Sequence, residues 1–120
     1  MKQITKTNNY LKQLVFDLYR LSSENKVNVW KRIADDLMAP TRNRRLVNLF
    51  KIDMHAQDGD VIVVPGKVLG TGDINRKVTV AAFSFSKSAV EKIRNAKGNV
   101  MTIEELVHKN PKGKDVKVFG

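Results

Sequence analysis

The chain has no cysteine among its 120 residues. Disulfide scaffolds, thiolate zinc sites and cysteine nucleophiles are therefore excluded. Long hydrophobic runs are missing too. The longest, such as Val61-Ile62-Val63-Val64, falls far short of a bilayer span. The opening residues, Met1-Lys2-Gln3-Ile4-Thr5-Lys6, carry neither an apolar signal core nor a small-residue cleavage site. A soluble intracellular protein is expected. There is no Gly/Ser-rich or Pro-rich linker and no internal repeat at a solenoid period, so the chain reads as one domain. Acid is also scarce: 12 Asp and Glu face 22 Lys and Arg, a net charge of +10.

What is present fits a folded basic body. Hydrophobic residues make up 42% of the chain, too many for a disordered tail. The charge is spread, with 11 cations against 7 acids in residues 1–60 and 11 against 5 in 61–120. Such a surplus repels itself unless a polyanion accompanies it. Nucleic acid is the leading partner, ahead of an anionic membrane surface.

The first half has helical spacing. Asn8 or Asn9 caps a segment with Tyr10, Leu11, Leu14, Val15, Leu18 and Leu21 on one stripe, fading at Ser22-Ser23-Glu24-Asn25. Asn28 caps a second helix with Trp30, Ile33, Ala34, Leu37 and Met38 on its apolar face, and Pro40 ends it. A third helix after Pro40-Thr41 turns Leu46, Val47, Phe50 and Met54 inward. The second half changes period. Val61 to Val64 and Val78 to Phe85 read as strands, the latter apolar on both faces and so buried on both. Residues 65–75 form a Gly-rich loop between them. Ser86 or Ser88 caps a helix through Ala89, Val90 and Ile93, closed by Gly98. Val100-Met101 is a short strand, and Thr102-Ile103-Glu104-Glu105 a capping-box start for a helix holding Leu106 and Val107. Lys112-Gly113-Lys114 leads to a last strand, Val116 to Phe119. The expected fold class is α/β, a helical part (1–57) packed on a small irregular unit of short strands and helices (58–120).

The loop Val64 to Asp73 has the look of a phosphate cradle. A nucleotide P-loop, however, ends on Gly-Lys followed by Ser or Thr, whereas Gly66-Lys67 opens this loop and Val68 follows. Gly70-Thr71-Gly72 does not extend to a dinucleotide fingerprint, because position 75 is Asn. Two readings remain: a tight structural turn, or backbone amides at Gly66, Gly70 and Gly72 that meet RNA phosphates together with Lys67. The densest basic cluster is Arg42, Arg44 and Arg45. At the start of a helix these cations oppose the dipole unless an anion neutralises them, and arginine's forked donors match phosphate. Arg76 and Lys77 form a second candidate. Lys31-Arg32 and Lys112 with Lys114 are more readily explained as a solvated helix face and a basic turn.

Catalytic constellations are scarce. His55 and His108 lack metal-ligand spacing, and Asp35-Asp36 and Glu104-Glu105 point about 100° apart on a helix, which suits solvated acids better than an acid/base dyad. Trp30 and Tyr19 read as core. No feature asks for an enzyme.

Three stretches closely resemble the archaeal form of large-subunit ribosomal protein eighteen, a family shared with eukaryotes and related to bacterial large-subunit ribosomal protein fifteen. They are Val63 to Gly70, Lys77 to Ser86, and Asn110-Pro111-Lys112-Gly113. The N-terminal half agrees, through Tyr10-Leu11, Leu14-Val15, Leu18-Tyr19-Arg20, Val29-Trp30-Lys31-Arg32 and Thr41-Arg42-Asn43-Arg44. The resemblance implies a cytoplasmic structural protein of the large ribosomal subunit, with ribosomal RNA and neighbouring ribosomal proteins as partners. It implies no catalysis, no cofactor, no metal, no small-molecule substrate, no membrane and no homo-oligomer. The chain lacks the basic tail of the eukaryotic form and the Gly-rich arm of the bacterial one, so RNA contacts are expected from the domain surface and short termini. The rival reading is a DNA-associated or chromatin protein using the three N-terminal helices as a helix-turn-helix. Few residues after the Arg turn suit base edges beyond Asn48.

Overall fold

The computed structural model describes residues 5–38 and 45–119, with side chains described for 11–38 and 46–119. The elements in chain order are α1 (Thr5–Asn25), α2 (Val29–Met38), β1 (Arg45–Asn48), α3 (Leu49–His55), β2 (Val61–Leu69), β3 (Thr79–Phe85), α4 (Lys87–Asn95), β4 (Asn99–Thr102), α5 (Ile103–Lys109) and β5 (Val116–Val118). This is the α/β class read from the sequence, built on a five-stranded sheet in which every pairing is parallel.

β2 is the spine. It pairs with β3 along one side, and on its other side first with β5 (Val61 to Val63) and then with β1 (Gly66 to Leu69). β4 lies beyond β3. A parallel sheet is stable when both faces are covered, and alternation along the strands divides the core accordingly. Ile62, Val64, Val80 and Ala82 face α3 and α4, joining Leu49, Ile52, Ala89 and Ile93. Val63 and Ala81 face the other way, against Leu14, Leu18, Trp30, Ile33, Leu37, Ile103 and Leu106 from α1, α2 and α5.

Several local expectations hold. The stripe Leu14, Val15 and Leu18 is buried, as are Trp30, Ile33, Ala34 and Leu37. The Ser86 side chain caps α4 by accepting from the Ala89 N–H, and Thr102 and Glu105 form a reciprocal capping box on α5.

Others are corrected. The helix expected from Leu46 onward is preceded by a strand, β1, and α3 starts only at Leu49. Of the four residues expected inward, only Val47 is buried; Leu46, Phe50 and Met54 are exposed. Leu49 and Ile52 face the core instead, because the chain enters the helix from a strand and so at a different rotation. β1 also separates α2 from α3, so the helices invoked for a helix-turn-helix are not consecutive. β2 runs on through Pro65 and Gly66 to Leu69, where a loop was expected. Met38 is exposed, and so partly is Tyr19, whose hydroxyl donates to the Asp35 carboxylate at 2.5 Å. The carboxylate's hold on that proton raises the Tyr19 pKa. Asn8 and Asn9 lie inside α1, which starts at Thr5. At the end of α4 the left-handed residue is Lys97 (φ 69°), with the Gly98 N–H bonding Ile93 O and the Lys97 N–H bonding Arg94 O. Gly98 is needed for space, since a Cβ there would sit 2.4 Å from the Val78 carbonyl oxygen. The Pro40-Thr41 turn lies outside the described residues. No described helix is long and apolar enough to cross a membrane.

Candidate nucleic-acid interface

The crossover from β2 to β3 holds most of the residues singled out in the Gly-rich stretch. It leaves the sheet after Leu69 and passes α3 on its way back to Thr79. At Gly70 it runs so close to the start of α4 that a Cβ would lie 2.0 Å from Ser88 Oγ and 2.9 Å from the Ala89 nitrogen. Gly72 combines a φ of 89° with an approach to Phe50, whose Cβ would be 2.6 Å from an added side chain. The Phe50 N–H bonds the Thr71 carbonyl at 3.1 Å. Packing within the chain thus accounts for both glycines without an anion.

The carbonyls of this loop point at a cation that sequence reading passed over. Lys92 Nζ donates to Gly70 O at 2.9 Å and Gly72 O at 2.7 Å, and lies 3.7 Å from Asp73 Oδ1. Twenty residues separate Lys92 from Gly72, and nothing in the sequence marks it among the Lys and Arg of α4. Only the packing of α4 beside the loop brings it in.

Gly66 lies within β2 and is buried, with Arg45 as its neighbour across β1. Lys67 follows, exposed, between Leu46 of β1 and Ser84 of β3. Arg45 and Lys67 are thereby on adjacent strands at the half of the sheet reached by β1. The Arg45 side chain, with Arg42 and Arg44, lies outside the described residues. Arg45 opens a strand rather than a helix, so the dipole argument made for this cluster does not apply; the match of guanidinium to phosphate remains.

Arg76 is anchored. Its Nε donates to Asp53 O in α3 at 3.0 Å and stands 4.0 Å from Asp53 Oδ1. The Lys77 N–H bonds the Asp58 carboxylate, leaving the Lys77 ammonium in solvent.

A third group assembles from distant sequence. The turn at 110–115 is tied by the Asn110 side chain, which donates to Lys114 O at 2.9 Å. It packs against the start of α2: Trp30 Nε1 donates to Pro111 O at 2.6 Å, and a Cβ on Gly113 would lie 2.4 Å from Val29 Cγ1. Lys112 and Lys114 therefore sit beside the helix whose next residues are Lys31 and Arg32. All four are exposed. Like Lys67 and Lys77, they make no ion pair among the described residues.

Several acids elsewhere are engaged in structure. Arg20 spans Asp17 and Glu24 along α1. Asp60 Oδ2 accepts from the Gln57 N–H at 2.8 Å and from Lys117 Nζ at 2.9 Å, which together hold its carboxyl below the usual carboxylate range. His55 and His108 are exposed. Among the described residues no three His, Asp or Glu side chains cluster as a metal site would require.

Comparison with known proteins shows what the chain is similar to. A family model described as "Ribosomal protein 60S L18 and 50S L18e" matches residues 1–119. The chain is 48% identical to the large ribosomal subunit protein eL18 of Methanoregula boonei, over 98% of both chains. It is 44% identical to that of Methanococcus maripaludis, over 99% of both. Against that of Methanothermobacter thermautotrophicus it is 42% identical, over 99% of this chain and 98% of the other.

Proposed function

The chain belongs to the family of ribosomal proteins 60S L18 and 50S L18e, and from that membership we propose that it is a structural constituent of the large ribosomal subunit, residing in the cytoplasm within the ribosome, that binds large-subunit ribosomal RNA. The observation that carries the RNA contact is that Lys31 and Arg32 on α2, Lys67 on β2, Lys77 in the crossover and Lys112 and Lys114 in the 110–115 turn are exposed, make no ion pair among the described residues, and are carried around a sheet covered on both faces. The role is position and charge rather than catalysis. Lys and Arg neutralise phosphates that would otherwise hold RNA helices apart, and shape rather than base edges sets most of the fit, because the deep groove of an RNA helix is closed to side chains. Arg42, Arg44 and Arg45 belong to the same proposal, as do the backbone around Gly66, Gly70 and Gly72 and the anchored Arg76. Neighbouring ribosomal proteins are the other partners.

Binding to large-subunit ribosomal RNA, followed against salt, tests this. With about six phosphates neutralised, log affinity falls with log salt at a slope of roughly −4 to −5. Replacing Lys31, Arg32, Lys112 and Lys114 by Ala flattens the slope and weakens binding while the melting temperature changes little. A flat salt response of the unaltered protein would sink the proposal. An equal loss of stability in the variant would show these to be structural residues.

A further inference from the structure

A cleft of about 470 Å³ opens between the β2–β3 crossover and α4, lined by Asp73, Ile74, Asn75, Lys92, Asn95 and Ala96. Its volume is in the range of small-molecule sites, which readily admits a single heterocycle. Its chemistry is wrong for a phosphate. The one cation in the lining, Lys92, is already directed at Gly70 O, Gly72 O and Asp73. The Asp73 carboxylate, 87% exposed, repels an anion at the mouth.

What the cleft leaves open is a set of neutral donors and acceptors around one carboxylate. The side-chain amides of Asn75 and Asn95 make no hydrogen bond among the described residues, and each offers both donors and an acceptor. Among the described residues Asp73 has only the long 3.7 Å contact to Lys92, which leaves its oxygens lone pairs to offer. Half-buried Ala96 supplies apolar surface between them, with the edge of Ile74, itself a core residue.

We propose that this cleft receives one unstacked guanine of the bound RNA. The inference rests on the RNA-binding reading above and adds a base-specific contact to it. Guanine presents two adjacent donors, N1–H and N2–H, to which a carboxylate is the matching pair of acceptors, with O6 beside them to accept from a carboxamide. Adenine, cytosine and uracil each place an acceptor where the carboxylate needs a donor. Unpaired bases splayed from loops and bulges are the usual object of sequence-specific RNA recognition. Arg76 and Lys77 follow directly on Asn75, where they meet the phosphates on either side of the extruded base.

Kethoxal, which modifies the N1/N2 edge of unpaired guanine, reads this directly on large-subunit ribosomal RNA bound to the full chain. A guanine protected by the unaltered protein becomes reactive with Asp73→Asn and with Asn95→Ala. Affinity falls roughly tenfold, as for loss of one bidentate base contact, while the salt slope stays within about one unit because the phosphates are still held. Two variants guard against a local folding defect, and thermal unfolding of each stays near that of the unaltered protein because both side chains are exposed. Protection that persists in both variants, or no protected guanine at all in a complex that forms normally, overturns the inference and leaves RNA binding standing. Failure of the unaltered protein to bind the RNA overturns the broader reading and this one with it.

Discussion

Trp30 shows how one side chain can serve two layers of a fold. Its ring is fully buried between α1, α2 and the sheet, and its N–H reaches the Pro111 carbonyl at the far end of the chain. A buried indole needs such a partner, since an unsatisfied donor in the core costs about 1–3 kcal/mol. Trp30→Phe keeps most of the volume and loses the tether, so the 110–115 turn with Lys112 and Lys114 loosens before the core does. Asp60 ties another joint, holding the turn before β2 to Lys117 of β5. Its pKa is depressed in the folded state. A depressed carboxyl contributes stability that is present above its unfolded pKa and lost as pH falls through the folded one. Between neutral pH and about pH 5 the melting temperature of Asp60→Asn therefore lies below that of the unaltered protein. The gap closes as pH drops through and below the carboxylate range, about 4 and lower, and an acid-to-neutral series of melting curves checks it. A gap that widens in acid would contradict the assignment.

At the scale of elements, the caps of α4 and α5 were legible because they are local. Ser86 and Thr102 precede their helices at the spacing the hydrogen bond requires, and both bonds are made. Thr102→Ala removes the α5 cap and releases Glu105, with an expected loss of about 1 kcal/mol measured by denaturant unfolding. α5 supplies Ile103, Leu106 and Val107 to the core, so that loss is felt globally. The error at Leu46 has an equally physical cause. Leu46, Val47, Phe50 and Met54 are compatible with a helical stripe, yet Arg45 to Asn48 finds ladder partners in Gly66 to Leu69, and pairing with a distant strand outweighs weak local preference. The same partnership explains how β2 passes through Pro65. Proline cannot donate to a ladder, but β5 stops pairing at Val63 and β1 begins at Gly66, and the register with β3 shifts between Val64 and Lys67. Pro65 falls in the gap.

The described residues form one sheet between two helical layers, and the two halves of the core share β2 and β3 residue by alternate residue. Neither layer keeps its apolar face covered if the sheet is lost. Unfolding is accordingly expected as one cooperative transition, with coincident loss of far-UV dichroism and Trp30 fluorescence; two separated transitions would mean that the α1–α2 layer folds apart from the rest. The sequence alone determined the excess of ten positive charges, the α/β class, the caps of α4 and α5 and the family, because composition, periodicity and short motifs are properties of neighbouring residues. Tertiary structure decided what depends on residues far apart. It placed Lys112 and Lys114 beside Lys31 and Arg32, turned Lys92 from a surface cation into the clasp of the crossover, and gave Gly70 and Gly72 a packing reason. Such contacts form only when strands and helices meet, and no spacing along the chain encodes them.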